Sequence, residues 1–262
     1  YPCIQRYVKK YMNYKEGIPD IIDRHSKLLV RDNLTKANIF LESFSDNVDN
    51  AQHSNPMSCF PSECPVPLDI EFPPFLVHKF MTKLPNTYST GLENINMFLL
   101  KKCSLSLAQP LSLLFEESFR TAAVPDQWRK AVIVPIHKKQ IRSNPKNYRP
   151  ITLTSPICRL LERMITSRIR QKLGYKIDRK QFGFIAGRNC PRALIHSITE
   201  WHTIIRTYKQ CDVIYFDFRK AFDMVSHNIL FEKLRSIGFP QPVIDWYHTL
   251  LTDRTSYTRV EN

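Results

Sequence analysis

The sequence predicts a mixed α+β fold, and three observations carry that reading. Apolar residues recur at helical spacing in several windows, most regularly across Ile157, Leu160, Leu161, Met164, Ile165, Ile169 and Leu173. Two short runs of β-branched and aromatic residues, 131–136 (AVIVPI) and 213–218 (VIYFDF), have the length and composition of strands. Hydrophobic residues make up 43% of the 262, enough for a packed core, while no apolar run approaches the roughly 18 residues of a membrane span.

The elements follow in order. The opening YPCIQRYVKK lacks the charged, apolar, small-residue order of a secretory signal, and with Tyr1 first the chain reads as a piece of a longer protein. Ala37, Ile39, Phe40, Phe44 and Val48 predict one amphipathic helix over 34–48, with no visible chemistry. Residues 48–75 are rich in Pro, Ser, Asn and Asp without a sustained apolar period, as in a linker. Helices are predicted within 75–84 (FLVHKFMTKL) and in the scaffold stretch 99–121. The strand 131–136 hands the chain to a basic loop that runs to Asn147-Tyr148-Arg149-Pro150. Ser155 then stands as an N-cap with Pro156 at the first helical position, which opens the helix over 156–173. Residues 181–188 (QFGFIAGR) hold Gly183 and Gly187 beside Arg188, a pattern equally suited to close ligand approach and to a plain turn. Helical spacing resumes at Ala193, Ile195, Ile198, Trp201, Ile204 and Ile205, before the strand over 213–218.

The seven cysteines (Cys3, Cys59, Cys64, Cys103, Cys158, Cys190, Cys211) are odd in number and scattered, which fits a reducing compartment rather than a disulfide framework. Cys59 and Cys64 near His53 raise a zinc site, but without a second close pair buried or free thiols are the expectation. Charge is more informative. The net charge is +14, and almost all of it lies after residue 110, where 26 Lys and Arg face 13 Asp and Glu. Such an excess is the footprint of a phosphate-tracking surface, although a basic soluble face or an anionic membrane surface would give the same number.

Asp217, inside an apolar strand, is costly to bury unless it is paired or binds a cation. Taken alone, an ion pair with Arg219 or Lys220 explains it as well as a metal does.

The string VIYFDFRKAFDMVSHNIL (213–230) resembles the first palm motif of reverse transcriptases of non-LTR, LINE-type retrotransposons. WRKAVIVPIHKK (128–139), NYRPITLTS (147–155), QFGFIAGRNC (181–190) and GFPQPVIDWYHTLLTDRTSYTRV (238–260) accompany it in the family's order. The resemblance implies a right-hand polymerase with an N-terminal extension and linker over 1–75, fingers over 76–210 and an incomplete palm from 211. It implies RNA-directed DNA synthesis with an RNA template, a DNA primer and deoxynucleoside triphosphates as partners, inside the cell in cytoplasm and nucleus, without a membrane. Two Mg²⁺ ions serve the complete enzyme of that family, since paired ions activate the primer oxygen and stabilise the leaving pyrophosphate.

Residue by residue, the resemblance makes Asp217 the catalytic metal-binding carboxylate and the carbonyl of Phe218 the adjoining ligand. Phe222 takes the place of an aromatic gate that excludes the ribose 2′-hydroxyl, and Asp223 is a structural carboxylate in preference to a ligand. Lys138 and Arg149 match cations that steady the triphosphate. Gln181, Gly183 and Arg188 match a motif along the path of template and primer.

Two departures stand out. The sequence contains no Asp-Asp dipeptide, so the family's two-aspartate turn is not among these residues, and one carboxylate cannot hold two metals. Residues 89–96 (STGLENIN) stand where relatives usually carry Gly-Pro-Asp. The expectation is a polymerase fragment inactive by itself, with an inert nucleic-acid-binding remnant as the alternative. A group II intron maturase or telomerase-like polymerase is a third reading, which the wording of the motifs disfavours.

Overall fold

A computed structural model describes residues 17–45, 70–138, 140–218, 221–222 and 224–260. His53, Cys59, Cys64, Arg219, Lys220, Asp223 and most of the expected linker lie outside the described residues. The fold is mixed α+β, as the periodicities predict, and the chain divides into two compact units, residues 1–165 with 222–262 and residues 166–221.

The first unit opens with a hairpin, β1 (Ile21–Ile22) and β2 (Leu29–Val30), paired antiparallel. Its turn is set by Asp23, whose carboxylate accepts from the backbone N–H groups of His25 and Ser26 and from the Ser26 hydroxyl. Helix α1 (Asn33–Ser45) follows where a helix is expected over 34–48, of which residues 46–48 lie outside the described residues. Asp32 caps it by accepting from the Thr35 N–H and hydroxyl at 2.8 Å each, which satisfies donors that the first turn leaves orphaned. The buried face of α1 holds Ile39 and Phe40.

Helices α2 (Pro74–Thr82), α3 (Met97–Lys102) and α4 (Ser104–Thr121) form the scaffold, with a break at Cys103 inside the expected helical stretch. Phe72, Phe115, Phe119 and Trp128 meet edge to face around the buried side of α4, and the Ser112 hydroxyl donates to the Phe72 carbonyl at 2.6 Å. A short helix α5 (Asp126–Arg129) leads into β3 (Lys130–His137). Strand β4 (Tyr148–Leu153) pairs antiparallel with β3 from Val132↔Leu153 to His137↔Tyr148. Strand β5 (Thr255–Thr258) pairs parallel on the other side of β3, which places β3 in the centre of a three-stranded sheet.

Helix α6 (Pro156–Leu173) begins where the sequence predicts. The Ser155 hydroxyl oxygen accepts from the Cys158 N–H and donates to Glu93, so the segment 89–96 braces the start of α6. Helix α8 (His227–Ile237) and helix α9 (Gln241–Leu251) follow late in the chain, joined at Gly238, whose φ of +91° needs glycine. Trp246 of α9 is fully buried and its indole N–H donates to the Ser118 hydroxyl of α4 at 3.1 Å.

The second unit holds α7 (Cys190–Tyr208), the loop before it and the segment after it. Asn189 caps α7 by accepting from the Arg192 N–H. Residues 211–218 form neither helix nor strand, and Ile214, Tyr215, Phe216 and Phe218 are each at least 75% exposed. The expectation of a buried strand over 213–218 is corrected here. A strand exists only where a neighbour takes up its N–H and C=O groups, and no segment among the described residues pairs with it.

Candidate nucleotide and nucleic-acid site

The hairpin of β3 and β4 positions the two cations singled out from sequence. Ile136 lies directly opposite Arg149, and the Lys138 N–H donates to the Asn147 carbonyl at 2.8 Å, which extends the ladder beyond His137. Side chains alternate along a strand, so Lys138 shares the face of Ile136 and therefore of Arg149. As diagonal neighbours their side chains start about 7–8 Å apart, a spacing that two phosphates of one polyphosphate chain can bridge. Both are exposed, and neither has a side-chain partner among the described residues. The opposite face carries His137 and Tyr148, with rings 5.3 Å apart. Tyr148 is buried, which pushes its hydroxyl above the usual tyrosine range.

Phe222, in the same unit, is exposed. Sequence reasoning missed a polar cluster in this unit. Glu162 of α6 is half-buried, and desolvation raises its pKa against the opposing pull of Arg254 and Arg159. Burial pushes the Cys158 thiol far above its ordinary value, with Glu162 adding to the rise. Arg254 also lines a cavity of about 430 Å³ at the β3, β4 and β5 ends, together with Thr152, Thr154, Thr255 and Ser256. No signal in the one-dimensional pattern joins residue 162 to residue 254, since only the parallel pairing of β5 with β3 brings them together.

In the second unit, the loop before α7 gathers Gln181, Gly183 and Arg188. The Gln181 side-chain amide donates to the Gly183 carbonyl, and one Arg188 nitrogen donates to the carbonyls of Asp178 and Gln181 at 2.8 and 2.6 Å. Arg188 thus closes its own turn through one nitrogen of its guanidinium, whose other donors take no part in these two bonds. Gly187 has a φ of +77°, which requires glycine, whereas Gly183 is not in a positive-φ conformation. Lys180 pairs with Glu200 of α7 at 2.7 Å, raising the lysine pKa and lowering that of the glutamate, and His196 lies 3.4 Å from the same carboxylate. The i,i+4 spacing of His196 and Glu200 was legible in the sequence; the lysine was not.

Asp217 is exposed and has no hydrogen-bond or ion-pair partner among the described residues. Its placement corrects the argument that it is a costly buried carboxylate. Among the described residues no group of three or more His, Cys, Asp or Glu side chains converges on a point. The Asp217 carboxylate and the Phe218 carbonyl are hard oxygen donors, adjacent in the chain, and match one edge of a Mg²⁺ shell rather than a whole one.

No helix among the described residues is long and apolar enough to cross a membrane. Residues 136–262 match the family model described as reverse transcriptase (RNA-dependent DNA polymerase). The chain is 29% identical over 209 residues to a probable RNA-directed DNA polymerase from transposon BS of Drosophila melanogaster, covering 76% of this chain and 23% of that protein. It is 30% identical over 162 residues to a probable RNA-directed DNA polymerase from the X-element of the same species, covering 60% and 18%. A third relative, the RNA-directed DNA polymerase from the mobile element jockey of Drosophila melanogaster, is 28% identical over 192 residues, covering 71% and 20%. The chain thus spans less than a quarter of the length of each of these relatives. The motif order agrees with these matches: residues 136–262 match a reverse transcriptase domain, and the chain is similar to the polymerases of non-LTR retrotransposons.

Proposed function

We propose that this chain supplies fingers and the start of the palm of a right-hand RNA-directed DNA polymerase, working on an RNA template and a DNA primer with deoxynucleoside triphosphates. The observation that carries the reading is the placement of Lys138 and Arg149 on one solvent-facing side of the β3–β4 hairpin. Two cations at that spacing suit a triphosphate, Arg149 by bidentate contact and Lys138 as a point charge. The loop braced by Arg188 and Gln181 serves the path of template and primer, where an A-form hybrid is read through its backbone.

Asp217 is the catalytic carboxylate of this reading, and with the Phe218 carbonyl it would hold Mg²⁺. Two such ions in the complete enzyme supply activation of the primer oxygen and charge stabilisation on the leaving group. Phe222 stands under the incoming sugar and excludes a 2′-hydroxyl. With no adjacent aspartate pair among its residues, the chain alone binds substrate and does not extend a primer.

The test joins residues 1–262 to the part of the jockey RNA-directed DNA polymerase that follows the region similar to this chain. Extension on an RNA template that Asp217→Asn abolishes supports the proposal, because the amide keeps the size of the carboxylate and loses its charge. Extension that survives Asp217→Asn overturns the catalytic assignment.

A further inference from the structure

We propose that the N-terminal hairpin and α1 are a brace for the loop 140–147, with Tyr148 as its joint, so that residues far from the triphosphate set how well it is held. The inference rests on the reading of Lys138 and Arg149 given above. Alternation along β3 and β4 gives the hairpin tip two different faces. One presents Lys138 and Arg149 to solvent. The other carries the half-buried His137 and the buried Tyr148, whose ring meets the Phe40 ring of α1 edge to face at 4.8 Å. Ile21, Ile39, Phe40 and Tyr148 form one core, with Val30 and Val260 packed on it.

Polar contacts fix the loop at successive points from that buried side. The Tyr148 hydroxyl donates to the Arg142 carbonyl at 2.7 Å, and the Ile22 N–H of the hairpin donates to the Ser143 carbonyl at 2.8 Å. Pro145 is buried in a single 3₁₀ turn, Pro145–Asn147, that packs against α1. The hairpin is in turn tied to α1 by the buried Lys36, whose ammonium donates to the Ile18 carbonyl at 3.0 Å. A loop of this length between two strands is ordinarily mobile, and binding a polyanion would then have to order it. Here the ordering is done in advance by residues 17–45, which lowers the entropic cost of binding.

The experiment uses the full chain and inorganic tripolyphosphate as probe, with calorimetric affinity and amide hydrogen exchange of residues 140–147 as separate readouts. Tyr148→Phe keeps the ring packing and removes only the bond to Arg142. Phe40→Leu keeps an apolar core and removes the ring contact. Both are expected to exchange faster in the loop than the wild type and to bind tripolyphosphate about three- to tenfold more weakly, with the melting temperature of Tyr148→Phe nearly unchanged. Unaltered loop exchange and affinity in both variants overturn the brace. If the wild type and Lys138→Ala bind tripolyphosphate equally, the triphosphate reading falls, and the exchange measurement, which needs no ligand, still decides whether the brace exists.

Discussion

Residues 213–218 should drive association of this chain with itself. Paired as a strand, the segment would set Ile214, Phe216 and Phe218 on one face and Tyr215 and Asp217 on the other. Each of those three apolar side chains is at least three-quarters exposed and offers about 150 Å² of apolar surface. Covering one such face removes about 450 Å² from water, which at about 25 cal/mol/Å² is about 11 kcal/mol, and a symmetric pair covers two. Association costs about 4–15 kcal/mol in lost freedom. Two such faces give about 22 kcal/mol as an upper estimate, and about 13 kcal/mol after the largest reduction for a compact unfolded chain, which offsets most or all of that cost and favours association at high micromolar concentration. Sedimentation of residues 1–262 across about 1–100 µM should show dimers or larger species, with binding of a hydrophobic dye. Phe216→Asp should give monomers that shed the dye, whereas Leu105→Asp, at an exposed leucine of α4, should leave association unchanged. A wild-type chain that stays monomeric without binding dye, or a Leu105→Asp variant as monomeric as Phe216→Asp, would refute the reasoning.

Three further outcomes follow from named contacts. Lys138→Ala and Arg149→Ala should each weaken triphosphate binding by about 1–2 kcal/mol, roughly five- to thirtyfold in titration, because each removes one charge-assisted contact at an exposed site. Log affinity for an RNA–DNA hybrid should fall linearly in log salt, and removing one phosphate-contacting cation should reduce the slope by about 0.7–0.9; equal affinity at about 50 and 200 mM salt counts against phosphate tracking. In the hairpin turn, the Ser26 hydroxyl and the Ser26 and His25 N–H groups lower the Asp23 pKa to about 2 from 3.8. A depressed carboxylate stabilises the fold above its unfolded value and loses that contribution as pH falls through the folded one, so the turn should loosen between about pH 4 and 2. Carboxyl NMR should place the Asp23 midpoint near 2 and that of Ser26→Ala nearer 3.8.

The legible part of this fold is the part that local chemistry dictates. Ser155 followed by Pro156 and an apolar period of helical spacing fixed the start of α6, and the structure uses Ser155 as the cap that its position suggested. The 131–136 strand was legible for the same reason, since its apolar run ends at a basic loop. The division of the scaffold stretch 99–121 into α3 and α4 at Cys103 was not legible, because apolar spacing does not report a break in backbone hydrogen bonding. The buried strand expected over 213–218 failed differently. Composition reports what a segment is able to pair as, whereas pairing itself depends on a neighbour that composition does not contain.

Tyr148 shows why site residues were only half legible. Motif order identified Arg149 and Lys138 by their charge, and the structure sets them on one face of the hairpin by strand alternation. The same alternation turns Tyr148 inward, one position from Arg149, and makes it the contact point for Phe40, more than a hundred positions earlier. From the sequence, residues 34–48 read as a helix without chemistry, because nothing in an amphipathic pattern says which surface its apolar stripe will cover. That surface is the back of the cation-bearing hairpin. A substitution on α1 should therefore act on phosphate binding through loop order rather than through charge, and its effect should persist at high salt, where the direct contribution of an exposed cation is screened.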